Sequence, residues 1–499
     1  MKHITVLLGM TLMGACGYDN HMKGYYGESM YDTATYESDV QEAPQENIDE
    51  NGVQTNPWVD VAEESTSTFS ADVDTGSYTL ARRMLLEGSL PEASTVRTEE
   101  FINYFSYDDV GPDTSLPFSV DLESAPSAFG DADDIQLLRI GIQADSIPME
   151  ERDPANLVFL LDVSGSMSSP DKLGLVKYAM NNLVDKLSPD DTIGIVVYAG
   201  AEGIVLPPTA VSEKSVILDA LESLRAGGGT NGEAGIRAAY QMAEEAFRSD
   251  GINRVILCSD GDMNVGLTGN ALIELIEEFR DKDIFLTTLG VGMGNYQDEL
   301  MEQLADHGNG NYAYIDSPNE ALRVLGDNLV STLQVVAKDL KIQVHFDPKS
   351  VERWRLIGYE NRVLANEDFE NDAVDAGDVG AGHSVTALYE LDLTENPSGG
   401  NLARVLMRYK EPTADESTEH DFILTADDRN ESFEGSTPSL RMAAAVAEFG
   451  EILRGSEHSI GKRFDDVLNI AETAISEGEV STIEEEFLSL ISIAQELSQ

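Results

Sequence analysis

Short apolar runs alternate with amphipathic segments at helical spacing between residues 157 and 336. The apolar runs lie at 157–161, 192–198, 203–206, 254–258, 284–291 and 312–315. Helical patterns fall between most of them, at 171–187, 213–225, 232–248, 269–281, 296–306 and 318–336. Strands that alternate with helices in this way predict an α/β fold with a doubly wound, mostly parallel sheet. In such a sheet, ligands bind beyond the carboxyl ends of the strands.

Polar side chains follow the first apolar run at the point where that strand is predicted to end. They are Asp162, Ser164 and Ser166, in the sequence Asp-Val-Ser-Gly-Ser. Three oxygen-bearing side chains at alternate positions of a tight turn can face one centre. Oxygen donors suit a hard cation such as Mg²⁺, Mn²⁺ or Ca²⁺. The loop is therefore a candidate cation site.

Two further stretches offer oxygen ligands for the same cation. The run of glycines at 227–229 precedes Thr230, and glycines allow the backbone to approach a neighbour closely. Asp260 follows the apolar run 254–258 and places a carboxylate at a second strand end. Together the Asp-x-Ser-x-Ser loop, the Gly-Gly-Gly-Thr loop and Asp260 resemble the metal-ion-dependent adhesion site of von Willebrand factor type A domains.

This resemblance implies a Rossmann-like A domain over residues 151–336. It also implies that Ser164, Ser166 and Thr230 are metal ligands, while Asp162 and Asp260 bind the metal directly or through water. Hydroxyl ligands are neutral, so a cation held by them keeps charge with which to accept an Asp or Glu carboxylate from a protein partner. Mg²⁺ is the first choice because it retains waters and takes few carboxylates. Mn²⁺ and Ca²⁺ are the alternatives, and Asp262 is interpreted as a nearby surface acid.

The segments on either side of the A domain read as strands. They precede it at 117–124 and 134–143 and follow it at 341–346, 353–359, 384–392, 402–409 and 420–424. Because unpaired edge strands are unfavourable, we expect both groups to join one β-sandwich into which the A domain is inserted. Residues 439–497 carry three amphipathic helical patterns. The predicted segments are 66–150 before the A domain and 337–499 after it, with strands to about 425.

The N-terminal flank also contains the pattern Asp72-x-Asp74-x-Gly76, followed by helical patterns to Leu86 and over 98–105. An EF-hand is excluded because the glycine comes one place early and Arg83 stands at the twelfth position. A helix cap and interface turn is the preferred interpretation. Both flanks resemble a bacterial family of A-domain lipoproteins that is often labelled calcium-activated-chloride-channel-like.

The first 65 residues predict export and anchoring. Residues 1–15 have a basic start and an apolar stretch too short to span a bilayer, which is typical of a signal peptide. Small residues before Cys16 resemble the bacterial lipobox, which implies lipidation of Cys16 and a cell-envelope location, the outer membrane favoured. Residues 16–65 are acidic and lack apolar periodicity, so we predict a flexible tether.

Composition excludes several other functions. With 91 acidic and 32 basic residues, the formal charge of −59 disfavours nucleic acid and anionic membrane surfaces, leaving the lipid anchor as the membrane contact. The sequence also lacks a nucleophile elbow, a Walker loop and a zincin motif, which predicts a protein that is not an enzyme. We expect metal-dependent protein recognition. The alternative is a structural or assembly subunit of an envelope complex whose metal is mainly architectural.

Overall fold

The structure is a computed structural model that describes residues 53–112, 116–130, 135–199, 202–229, 232–261, 270–293, 298–395, 397, 399–414, 416–476 and 480–499. The strands are β1 Val59–Asp60, β2 Thr66–Ser70, β3 Phe118–Pro126, β4 Ile135–Ala144, β5 Ala155–Asp162, β6 Thr192–Tyr198, β7 Glu202–Ala210, β8 Ile252–Ser259, β9 Phe285–Val291, β10 Tyr312–Ile315, β11 Val335–Phe346, β12 Val351–Ile357, β13 Val379–Gly380, β14 Ser384–Leu393, β15 Asn401–Lys410 and β16 Ser417–Thr425. The α-helices are α1 Gly76–Leu86, α2 Thr98–Ile102, α3 Leu175–Lys186, α4 Lys214–Ser223, α5 Gly232–Glu245, α6 Asn270–Arg280, α7 Asp298–His307, α8 Pro318–Leu322, α9 Leu329–Leu333, α10 Pro438–Arg454, α11 Phe464–Ile475 and α12 Thr482–Leu497.

Six strands form the sheet of the central α/β domain, in the order β10-β9-β8-β5-β6-β7. All neighbouring pairs are parallel except β6 and β7. Alternate residues of β5 face opposite sides: Phe159 packs in a core with α3, α4, α8 and α9, and Leu160 packs in another with α5, α6 and α7. Helices therefore cover both faces of a mostly parallel sheet, and the predicted fold class is confirmed.

The strands on either side of the A domain pair with one another. β4 lies beside β14, with Arg139 opposite Leu388, in a sheet ordered β1-β12-β14-β4-β3. A second sheet contains β13, β11, β15 and β16 in that order, and β2 pairs with β11 as well. Side chains from both sheets, such as Leu138 and Val405, share one apolar core. The A domain is thus an insertion in a β-sandwich, as the edge-strand argument predicts.

The three C-terminal helices pack with α1 and α2 in a separate apolar core that includes Tyr78, Phe101, Phe449 and Phe487. α10 begins where the Thr437 hydroxyl accepts a hydrogen bond from the backbone of Leu440, and it ends at Gly455, whose φ of 71° suits glycine. Among the described residues, no helix is long and apolar enough to cross a membrane.

Three predicted helices differ from the structure. The single helix expected over 318–336 is α8, a π-turn at 323–327 and α9, and the chain is already a strand by Val335. Pairing of β11 with β13 takes Val335 into the sheet, so tertiary contacts override the helical pattern. The helix expected over 171–187 opens with a π-turn at 170–174, and α2 ends at Ile102 instead of 105.

The Asp72–Gly76 turn joins the N-terminal segment to the A domain. Asp74 accepts a hydrogen bond from the backbone of Tyr312 at 2.7 Å, and both Asp72 and Asp74 pair with Arg362. The interface turn is therefore present. The expected helix cap is not, because Thr75 at the N-cap of α1 makes no side-chain capping hydrogen bond.

Candidate metal site at the carboxyl edge of the parallel sheet

The candidate site begins at the end of β5, which lies between β6 and β8. All eight residues of this strand are buried. Burial on both faces explains the continuous apolar run, and the polar residues begin where the strand leaves the sheet. The carboxyl edge of the sheet is also the place where doubly wound proteins bind ligands.

Asp162 is the last residue of β5, and its side chain is fully buried. Its Oδ1 accepts a hydrogen bond from the backbone N–H of Ser164 at 2.7 Å. Its Oδ2 is buried and has no hydrogen-bond partner among the described residues. Burial raises the pKa of Asp162 to about 6, and the charge of Asp260 acts in the same direction, while the hydrogen bonds from Ser164 and the nearby hydroxyl of Tyr198 lower it. A buried carboxylate oxygen without a donor is suited to a cation.

The two serines lie next to this carboxylate. Ser164 is buried and Ser166 is exposed, and their Oγ atoms are 2.8 Å apart. The carboxylate of Asp162 and the hydroxyls of Ser164 and Ser166 therefore lie one after another from the buried end of the strand to the surface. This arrangement matches the sequence expectation that alternate positions of the turn converge.

The glycine run is held against the Asp162 loop by two backbone hydrogen bonds. Gly227 donates to the carbonyl of Val163 at 2.8 Å, and Gly165 donates to the carbonyl of Gly228 at 3.1 Å. Gly228 has a φ of 98°, a conformation that favours glycine. The close backbone approach inferred from the sequence is thus present. Thr230, the ligand expected next, lies outside the described residues, as do Asp262 and Cys16.

Asp260 follows β8 and is 5% exposed. Because β8 pairs in parallel with β5, placing Leu161 opposite Cys258, the two acidic residues reach the same edge of the sheet. The Oδ2 atom of Asp260 is 2.8 Å from Nζ of Lys172. Sequence reasoning missed Lys172, since 88 residues separate it from Asp260 and no motif connects them.

These residues fit a divalent cation by the chemistry of their donors. The Asp162 loop and Asp260 offer two carboxylates and two hydroxyls, all oxygen, as Mg²⁺ prefers. Among the described residues there is no group of three or more His, Cys, Asp or Glu side chains that could hold a metal. The candidate site has only two carboxylates, and its other ligands are hydroxyls, so it does not contain three such side chains. The feature that indicates a cation here is the buried Oδ2 of Asp162, which makes no hydrogen bond among the described residues.

Three family profiles match successive parts of the chain. The von Willebrand factor type A domain matches residues 156–327, which include the Asp162 loop and Asp260. A profile described as von Willebrand factor matches residues 45–139. A profile described as the C-terminal part of the uncharacterized protein YfbK matches residues 331–497.

Similarity to individual proteins extends beyond the A domain. The uncharacterized protein YfbK of Escherichia coli (strain K12) is 39% identical over 465 residues, which cover 88% of this chain and 80% of that protein. The uncharacterized protein sll0103 of Synechocystis is 31% identical over 185 residues, covering 37% of this chain and 43% of that protein. Among solved structures, a von Willebrand factor type A protein from Catenulispora acidiphila aligns over 75% of this chain and 89% of that chain, with a TM-score of 0.44 and 16% identity.

Proposed function

Since the chain belongs to the von Willebrand factor type A family that includes YfbK of Escherichia coli, we propose that it is a binding protein which recognises a protein partner through a divalent cation. The observation that carries the proposal is the buried Oδ2 of Asp162, which has no hydrogen-bond partner among the described residues and lies beside two serine hydroxyls. No catalytic role is assigned to these groups.

Each residue has a separate role at this site. The hydroxyls of Ser164 and Ser166, with that of Thr230, are neutral ligands, and Asp162 and Asp260 balance the charge directly or through water. When bound, Mg²⁺ supplies an electrophilic position that a carboxylate of the partner completes, with Mn²⁺ or Ca²⁺ as alternatives. The partner therefore presents an Asp or Glu side chain.

The proposal also includes a place for the protein in the bacterial cell. Lipidation of Cys16 would hold the chain at the cell envelope, with the outer membrane favoured, and the acidic residues between Cys16 and Val53 would separate the anchor from the body. The tether predicted over 16–65 is wrong in its last part, because β1 Val59–Asp60 pairs with β12 and Val61 is buried in the core of the sandwich. Export, the signal peptide and the anchor rest on the sequence pattern of residues 1–16. Mass spectrometry of the N-terminal peptide of the mature protein tests this, because an acylated Cys16 has a defined added mass.

A second candidate function follows from the contacts of α3. Asp171, in the turn that leads into this helix, pairs with Arg83 of α1 at 2.5 Å. The segment directly after the Asp162 loop is thus fastened to the N-terminal segment. A metal whose main effect is to stabilise this internal contact would suit a structural or assembly subunit, which is the second candidate.

A capture experiment separates the two candidates. The tagged full chain is incubated with solubilised bacterial envelopes in Mg²⁺ or in EDTA, beside the Asp162→Ala variant. Asp250→Ala is the matched control, because it removes the same charge from an exposed turn. We expect a captured protein to be lost in EDTA and with Asp162→Ala while Asp250→Ala retains it. If the partner is still captured in EDTA and the fold is unchanged, metal-dependent recognition is contradicted. If EDTA greatly lowers the melting temperature of the chain but capture is retained, the metal has the architectural role.

A further inference from the structure

Lys172 lies in the π-turn Pro170–Gly174 that precedes α3, and it reaches across the candidate site to the end of β8. Its Nζ is 2.8 Å from Oδ2 of Asp260, and the two side chains are only 14% and 3% exposed. This is a largely buried ion pair between a lysine and one of the carboxylates assigned to the metal.

The surroundings of Lys172 hold its side chain in this direction. Gly292, directly after β9, lies against the aliphatic part of the lysine, so a Cβ at that position would collide with Cγ, Cδ and Cε of Lys172. Gly292 also has a φ of 76°, which favours glycine. The neighbouring Asp171 pairs with Arg83. The conformation of the Lys172 side chain is therefore restricted by its contact with Gly292 and by the ion pair that holds the neighbouring Asp171.

The charges explain why a cation belongs there. Asp162 and Asp260 are both buried at one edge of the sheet, at the ends of two neighbouring parallel strands. Buried carboxylates are unfavourable unless a cation or hydrogen-bond donors compensate them. The ammonium of Lys172 supplies one positive charge at Asp260, where a divalent ion would supply two.

We propose that Lys172 is an internal counter-ion for Asp260, and that a divalent cation binds by displacing its ammonium from that carboxylate. The inference rests on the proposed metal-binding function and adds a residue that sets the affinity of the site. In the metal-free chain Lys172 stabilises the fold and keeps the carboxylate of Asp260 in place. In the metal-bound chain its positive charge opposes the ion, so the site binds Mg²⁺ more weakly than its oxygen ligands alone would.

Methionine is the substitution that isolates the charge. Lys172→Met keeps an unbranched side chain of similar length against Gly292 and removes the ammonium. Lys186→Met is the matched control, because it removes the same charge from an exposed position at the end of α3. Mg²⁺ binding to the full chain is measured by isothermal titration calorimetry, and the melting temperature is measured in EDTA and in saturating Mg²⁺.

We expect Lys172→Met to bind Mg²⁺ on the order of tenfold more tightly than the wild type, which corresponds to about 1.4 kcal/mol. We expect it to melt lower than the wild type in EDTA, while Lys186→Met changes neither quantity. Unchanged or weaker Mg²⁺ binding by Lys172→Met overturns the inference, since weaker binding would mean that the lysine orients Asp260 for the ion. If the wild type fails to bind Mg²⁺, the proposed function is wrong. Binding by Lys172→Met alone would then still support the lysine as the competing cation.

Discussion

Replacing Asp162 with asparagine should stabilise the metal-free protein and abolish its metal binding. The side chain is fully buried at the end of β5, and burial raises its pKa from 3.8 to about 6. The asparagine amide keeps an oxygen that can accept the hydrogen bond from Ser164, so the change removes the negative charge at nearly constant shape. A gain in stability together with a loss of metal binding is expected when a buried charge serves binding and not stability.

The magnitude follows from the raised pKa. The contribution of Asp162 to stability is fully present below pH 3.8 and is lost as the pH rises through about 6. The shift of about two pKa units corresponds to roughly 3 kcal/mol, so at pH 7 we expect Asp162→Asn to gain about 1–3 kcal/mol over the wild type. At pH 3.5 the two proteins should differ in stability by less than about 0.5 kcal/mol, because the carboxyl is mostly protonated in both the folded and the unfolded state.

The assay compares thermal unfolding of the wild type and of Asp162→Asn in EDTA at both pH values, followed by Mg²⁺ titration at pH 7. Asp250→Asn is the control, since it removes the same charge from an exposed turn. A rise of about 1–3 °C in melting temperature at pH 7 is the expected result for a chain of this length. An Asp162→Asn variant that is less stable than the wild type in EDTA, or that still binds Mg²⁺, refutes the reasoning.

Two further predictions concern buried charges away from the candidate metal site. Glu448 of α10 is buried, and burial, followed by the charges of Glu451 and Glu390, raises its pKa from 4.5 to about 9. The stabilising contribution of Glu448 is present below pH 4.5 and is lost as the pH rises through about 9. Urea unfolding should therefore show that Glu448→Gln stabilises the protein by about 1–3 kcal/mol at pH 7 and has no effect at pH 4. Equal gains in stability at both pH values would contradict the ionisation of Glu448 as the cause. Arg362 pairs with Asp72, Asp74, Glu302 and Asp306, and Arg362→Met, which leaves those carboxylates without it, should cost about 3–5 kcal/mol by the same measurement. The exposed i,i+4 pair of Arg237 with Glu233 provides the control: Arg237→Met should cost less than about 1 kcal/mol, and similar losses in both variants would show that the Arg362 cluster has no special role.

Local patterns in the sequence were sufficient for much of the architecture. The apolar run of β5 is continuous because both of its faces are buried, and this burial also identifies the sheet as parallel. Once parallel pairing is inferred, the positions of Asp162 and Asp260 at the same edge follow from strand direction alone. The insertion of the A domain was predictable from the number of strands that would otherwise lack a neighbour.

Contacts between distant segments were not predictable. Lys172 meets Asp260 across 88 residues, and the sequence around each gives no sign of the other. Arg362 likewise lies far along the chain from Asp72 and Asp74, with which it pairs. The helix predicted over 318–336 was wrong beyond Leu333 because the pairing of β11 is decided by strands distant in sequence. The spacing of apolar residues shows which face of a segment can be buried. The segment against which that face packs depends on the whole fold.

We propose above all that the loop of Asp162, Ser164 and Ser166 binds a divalent cation. A crystal structure of the full chain grown with Mn²⁺, with anomalous data collected to locate the metal, tests it most directly. We expect one strong anomalous peak at the carboxyl end of β5, within roughly 2.5 Å of the Ser164 and Ser166 hydroxyl oxygens, with Lys172 moved away from Asp260. Full Mn²⁺ occupancy at another position, with this loop empty and the Lys172–Asp260 pair intact, would contradict it.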